Sequence, residues 1–310
     1  MEKNLTFLER KETSFIGVSF ATLAFITLFF TETSYYLLIL QTGIVDYFHS
    51  DMSKIWMIPV GGVLGIVTMA KLNHRSVVVS VALFFQTLLM LFYPSFNGFM
   101  LFALGFLSGL IAPYLIYQLR SLNQIIIILG LAYLLGTFAI HILPENRGLL
   151  AITLSVMALF SSYFVVPVSK KIVKNVALKT YLVIFVWLVL DATLFETLSR
   201  SSMGIWKNET FTLLIATFHI IGLFIGYKLI NFKYNNPLIL TLFALSYLFF
   251  AFNLSYLLAI VYPIVISYYN VIILKHFMAL SFEHLTLVSL SLWMSAGIGL
   301  SIALLLHHLI

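Results

Sequence analysis

Residues 180–200 read TYLVIFVWLVLDATLFETLSR, an apolar run with Asp191 and Glu196 set inside it. A bilayer core needs roughly 20 apolar residues per helix, so this stretch has the length of one transmembrane span. A charge placed in hydrocarbon costs a few kcal/mol at the least. Acids kept inside such a run therefore face a protein interior or a water-filled cavity, and they mark candidate functional positions. Residues 14–40 repeat the arrangement, with Glu32 about two-thirds of the way along the run. Asp191, Glu196 and Glu32 are three carboxylates held within apolar segments, and they predict a polytopic helical membrane protein with a polar centre.

The composition agrees. Hydrophobic residues make up 62% of the 310 and charged residues 9%, with a mean hydropathy of +1.07. An ordinary soluble domain carries about 25% charged residues, and its shell needs polar cover that this chain lacks. There is no cysteine, so disulfides, thiolate metal sites and a cysteine nucleophile are excluded. The first thirteen residues, MEKNLTFLERKET, are polar and of mixed charge. The apolar stretch behind them exceeds a signal peptide and lacks a small-residue cleavage site, so it is read as a retained first span.

Apolar runs between polar or Gly/Pro/Asn breaks number eleven: 14–40, 55–70, 76–93, 98–118, 123–143, 148–168, 180–200, 210–230, 237–252, 254–274 and 285–306. The ninth and tenth are divided only by the polar step at Asn253 and Ser255. Threading the 17 basic residues through this count puts thirteen on one side: Lys3, Arg10, Lys11, Lys71, Arg75, Arg120, Lys170, Lys171, Lys174, Lys179, Lys228, Lys233 and Lys275. Lys54, Arg147, Arg200 and Lys207 fall on the other. By the positive-inside rule the N-terminus is cytoplasmic and the C-terminus outside. The same distribution accounts for the net charge of +6 without a nucleic-acid partner.

The two halves share fragments. Gly65-IVTMA-Lys71-Leu72 ends the second span and Gly222-LFIGY-Lys228-Leu229 ends the eighth. Thr27-Leu28-Phe29 followed by Glu32-Thr33 matches Thr193-Leu194-Phe195 followed by Glu196-Thr197, with a two-residue gap. Pro113 and Pro263 fall in the fourth and tenth spans. These matches define a six-helix repeat, as in transporters built from duplicated bundles.

Two six-helix bundles joined by a cytoplasmic connector resemble the major facilitator superfamily. The family's loop between helices two and three reads Gly-x-x-x-Asp-Arg/Lys-x-Gly-Arg/Lys-Arg/Lys. Here Gly65 opens a comparable stretch in which Lys71 and Arg75 supply basic charge, Met69 stands at the Asp position, and Asn73 and His74 at later basic ones. The resemblance implies an all-α fold divided into a bundle over 1–168, a connector over 169–179 and a five-helix bundle over 180–310. The connector is short, and the chain ends after His307 and His308 without a twelfth helix. The resemblance also implies a gating role for Gly65, Lys71, Arg75, Gly222 and Lys228. It implies a central cavity lined by the first, fourth, seventh and tenth spans. Tyr35, Tyr114, Trp187, Tyr262 and Tyr268 would then be its aromatic contacts; Tyr117, Gln118, Tyr269 and Asn270 belong to the same polar groups on the fourth and tenth spans.

The acids differ in their local partners. Glu196 lies four residues before Arg200, the spacing of a helical ion pair, so it is read either as a structural pair at the membrane boundary or as a coupling group. Glu32 is flanked by Thr31, Thr33 and Ser34, which can cap a structural carboxylate, and equally fits a proton or cation site. Asp191 is mid-span with no local counter-charge and is the first candidate for coupling or substrate contact. His219, midway along the eighth span, is a hydrogen-bonded structural histidine or a proton acceptor near neutral pH. His141, His307 and His308 read as interfacial. The histidines have no metal-ligand spacing, and no cofactor is expected. The Ser295–Ser301 patch of small residues suits close helix packing.

These features favour a secondary transporter for a small solute, driven by protons or another cation, in a bacterial inner membrane. No phosphate-binding loop is present. Lys and Arg are missing from the span centres, and the acids and aromatics suit a cationic, amphiphilic or neutral solute. Two other classes remain open. An intramembrane enzyme acting on a lipid-linked substrate would display acids on cytoplasmic loops, where Glu283 stands alone beyond the N-terminus. A non-transporting membrane subunit would need a partner to answer the buried acids.

Overall fold

The computed structural model describes residues 19–44, 52–73, 75–142, 144–167, 178–201 and 203–309. Eleven main helices follow in order: α1 (Phe20–Tyr35, continued as a π-helical stretch Tyr36–Gly43), α2 (Met57–Lys71), α3 (Arg75–Met90), α4 (Gly98–Gln118), α5 (Leu122–Ala139), α6 (Pro144–Ser162), α7 (Leu178–Arg200), α8 (Thr212–Lys228), α9 (Asn235–Ala251), α10 (Ser255–Met278) and α11 (Phe282–Leu309). Seven of them have the length and hydropathy of a full span, and the shorter α2, α3, α6 and α9 are also apolar. In lipid every backbone amide must be satisfied internally, so such runs fold as helices.

Helix ends follow the local chemistry. Ser19, Asn97 and Ser121 accept from backbone N–H groups one turn on, capping α1, α4 and α5. The narrow break at Asn253 is real: α9 stops at Ala251, and Asn253 takes φ 57°, a left-handed conformation that Asn tolerates. Large apolar side chains point outward, with Phe99 77%, Leu213 72% and Leu149 69% exposed. A surface of this kind requires lipid as its solvent; the chain is an integral membrane protein.

Helix packing repeats with an offset of six. α2 packs on α4 as α8 does on α10; α1 on α5 as α7 on α11; α3 on α4 as α9 on α10. α6 packs against α1 and α3; the offset would pair a twelfth helix with α7 and α9. The bundles meet along α5 with α8 and along α2 with α11, which the same offset interchanges. This is an all-α fold of two pseudosymmetric bundles, major-facilitator-like. Of the connector expected at 169–179, residues 169–177 lie outside the described residues, as do 168, 1–18 and His74, whereas Leu178 and Lys179 already belong to α7.

Close approach explains the repeated glycines. A Cβ on Gly65 would sit 2.1 Å from the Phe106 carbonyl oxygen of α4, and one on Gly222 would sit 2.6 Å from the Ile264 carbonyl oxygen of α10. Gly65 and Gly222 are therefore not loop positions. They lie inside helices where two backbones touch, and the Gly/Lys/Leu match records duplicated packing. The small-residue patch on α11 acts similarly, Gly299 lying against Ala192 of α7.

Candidate functional site

A cavity of about 350 Å³ lies between the bundles, with walls from α1, α4, α5, α7, α8, α10 and α11. Glu32, Asp191 and His219 all line it. The first, fourth, seventh and tenth helices thus all reach the cavity, as the resemblance implied.

Asp191 is held from α10. The Tyr262 hydroxyl donates to one carboxylate oxygen at 2.8 Å and the Tyr269 hydroxyl to the other at 2.5 Å. Tyr262 and Tyr269 are seven residues apart, two helical turns, and so project from one face of α10. Both phenols are buried while Asp191 is half-buried. On the α7 side the Tyr247 hydroxyl of α9 donates to the Leu190 carbonyl at 2.8 Å. Trp206 packs edge-on to Tyr262 at 5.5 Å and against Phe195 at 5.2 Å. It reaches the cavity from a single-turn helix, Ile205–Lys207, between α7 and α8.

A polar seam runs across the bundle interface next to Asp191. The Asn270 amide of α10 donates to the Tyr133 hydroxyl of α5 at 2.9 Å. The Tyr133 ring stacks on His219 of α8 at 4.5 Å and 17°. His219 Nδ1 pairs with the Ser267 hydroxyl at 2.8 Å. The described partners of His219 are thus Ser267, the Pro263 backbone and the Tyr133 ring rather than an acid.

Glu32 occupies the opposite bundle. One carboxylate oxygen accepts from Gln86 Nε2 of α3 at 2.9 Å, in a site where Gln86 is fully buried. Gln86 Oε1 has no hydrogen-bond partner. A carboxamide turned by 180° would offer that oxygen to a protonated carboxyl, so the pair can serve either charge state of Glu32. One turn beyond Glu32, Tyr36 meets Trp293 of α11 edge-on at 6.1 Å, and the π-helical stretch begins there, a feature frequent at functional sites.

The other expected positions divide. Tyr35 lines the cavity and donates to the Met90 sulfur at 3.2 Å. Tyr262 reaches the site through Asp191. Tyr114, Trp187 and Tyr268 do not line the cavity: all three are buried in the packed core. Tyr268 points to α9 and donates to Asn235 Oδ1, because one residue on a helix is a rotation of about 100° from Tyr269. Glu196 is buried but off the cavity wall, and the Arg200 side chain proposed as its partner lies outside the described residues, as do those of His307 and His308. Lys71 and Lys228 are exposed at helix ends, Lys228 lying 5.5 Å from the Phe224 ring. Arg75 does join the bundles: its guanidinium lies 3.6 Å over the Phe282 ring of α11, which packs edge-on to Tyr117 of α4.

Tyr36, Tyr133, Trp206, Trp293 and Gln86 are not singled out by sequence. Gln86 carries a signal, a lone amide within the apolar run of α3, and Tyr36 stands one helical turn from Glu32. Tyr133 and Trp293 look like any aromatic in a span.

The Asp191 bracket carries a stability prediction. Tyr269→Phe keeps the ring that packs on Phe243 at 5.6 Å and removes one donor to a carboxylate, a bond worth about 1.5–3 kcal/mol. Denaturant unfolding in detergent at neutral pH should show a loss of that size in the wild-type background and a smaller one, at most about 1 kcal/mol, when Asp191 is already Asn and only a neutral acceptor remains. Equal losses in both backgrounds would break the assigned pairing.

Among solved structures, the chain is similar to the crystal structure of the human organic anion transporter MFSD10 (TETRAN), with a TM-score of 0.55, 13% identity and 92% of each chain covered. At that identity the likeness is one of fold. No family model matches the chain, and no curated protein matches it.

Proposed function

We propose that the chain is a secondary transporter of the major facilitator superfamily that moves a small organic solute, coupled to protons or another cation through intramembrane carboxylates. The observation that carries this reading is the placement of Asp191 and Glu32, one on each bundle, at a single cavity inside a transporter fold. Intramembrane acids that face a cavity serve substrate and ion pathways. Asp191 is the principal coupling group and Glu32 the second. His219, through Tyr133, ties the two bundles beside them. Glu196 does not line the cavity, although its charge reaches the cavity residue Tyr36, and is assigned a structural role.

The two bundles are assigned to 1–168 and 178–310, with 169–177 as a cytoplasmic connector in an inner membrane, two residues shorter than the sequence suggests because α7 begins at Leu178. Rocking of one bundle against the other would open the cavity alternately. At the end carrying Lys71, Lys228 and Lys275, Arg75 on Phe282 is the contact that must part. MFSD10 is an organic anion transporter, and that selectivity is not carried over to this chain. Two carboxylates face this cavity and, among the described residues, no Lys or Arg lines it.

Two experiments test the proposal. A panel of small organic solutes offered to proteoliposomes under an imposed pH gradient should include one that accumulates only when the protein is present; failure of every solute to exchange or accumulate would contradict it. Reporter fusions at Lys174 and after Ile310 should report opposite sides of the membrane, with Lys174 cytoplasmic. Reporters on the same side would overturn the orientation.

A further inference from the structure

We propose that the cavity takes a monovalent organic cation bearing aromatic groups, held between the carboxylates of Glu32 and Asp191 and the rings of Tyr36, Trp206 and Trp293. This deepens the transport reading by naming its solute class, although the binding step stands without transport.

Charge makes the first part of the case. The two carboxylates enter one space of about 350 Å³ from opposite bundles. Their described donors, Gln86 for Glu32 and the Tyr262 and Tyr269 phenols for Asp191, are neutral. Neutral donors stabilise an anion by hydrogen bonding but leave its charge uncancelled. With no Lys or Arg on the described wall, an entering cation is the natural counter-charge, and an anion meets like charge in a low-dielectric site.

The walls decide the kind of cation. A metal ion of the calcium or magnesium type needs about six oxygen ligands in a compact cage, whereas here the acids lie on helices of different bundles and most of the wall is aromatic or aliphatic. Tyr36 and Trp293 line the cavity edge-to-face at 79°, and Trp206 lines it as well, backed by the buried Tyr262. Aromatic rings on a cavity wall attract weakly hydrated cations through their faces. The volume suits a small drug-sized molecule.

Trp206 and Trp293 are two of the four tryptophans in the chain, so intrinsic fluorescence reports occupancy. Purified full-length protein in detergent is titrated with tetraphenylphosphonium and with tetraphenylborate, ions of the same shape and opposite charge. The phosphonium should give saturable quenching, and the borate should bind at least about tenfold more weakly. Asp191→Asn and Glu32→Gln should each weaken phosphonium binding by about tenfold, while Asp191→Glu retains it. Borate binding as tight as phosphonium binding, or phosphonium affinity unchanged in both neutral variants, would overturn the proposal. If Asp191→Asn does not fold, Glu32→Gln decides on the same terms. Charge-selective binding without flux in proteoliposomes would uphold this site and sink the transport reading. Proton-coupled flux of an anion that phosphonium does not displace would do the reverse.

Discussion

Asp191→Asn abolishes gradient-driven accumulation of the solute in reconstituted protein, bringing it to the equilibrium level, while solute–solute exchange survives at higher solute concentration. Asn matches Asp in shape, so the α7–α10 contact persists, with the amide oxygen still able to accept from Tyr262 or Tyr269. What disappears is a group that can alternate between charged and neutral at the cavity wall. Exchange needs only a cavity that still binds solute, if more weakly, and the bundle movement, whereas accumulation needs the coupled ion. Glu196→Gln, off the cavity, should lower thermal stability and leave the accumulation ratio of the folded fraction intact. Undiminished accumulation in Asp191→Asn would remove Asp191 from the mechanism and leave Glu32 as the coupling group.

Gly65→Val should leave little monodisperse protein. The Cβ alone would stand 2.1 Å from a backbone oxygen of α4, and backbone cannot swing aside as a side chain can. Parting α2 from α4 would disturb the most extensive contact of the first bundle. Overpacking costs about 1–3 kcal/mol where side chains can adjust, and here they cannot. Gly136→Ala is the control: its Cβ would meet only the tip of Leu37 at 3.8 Å, and the change favours helix by up to about 1 kcal/mol. Size-exclusion profiles and thermal midpoints of the two variants should move in opposite directions. A well-behaved Gly65→Val would show that α2 and α4 do not approach so closely.

The helices are legible in the sequence because lipid imposes a length on each apolar run, and because turns need Asn97, Ser121 and Asn253 where the runs stop. The six-helix offset is legible too, but its cause is helix packing rather than a loop motif. Gly65 and Gly222 recur because α2–α4 and α8–α10 use the same backbone contact, and the spacing of Gly61 with Gly65 and Gly105 with Gly109 is the clearer sign of it. At the site, an acid in hydrocarbon is conspicuous, so Glu32 and Asp191 can be named without coordinates. Which aromatics join them depends on helical phase and on inter-bundle contacts that no local pattern encodes. Tyr268 and Tyr269 are adjacent in sequence, yet one faces α9 and the other Asp191. Trp206 reaches the cavity from a short turn that no apolar periodicity marks.

Proton movement driven by a solute gradient across proteoliposomes, read by an internal pH-sensitive dye, tests the coupled-transport claim most directly. With the solute identified by the accumulation screen, imposing its gradient alone should change the internal pH in vesicles holding the wild-type protein and not in empty vesicles. Solute that equilibrates through the protein while the internal pH stays constant would contradict proton coupling through the cavity acids.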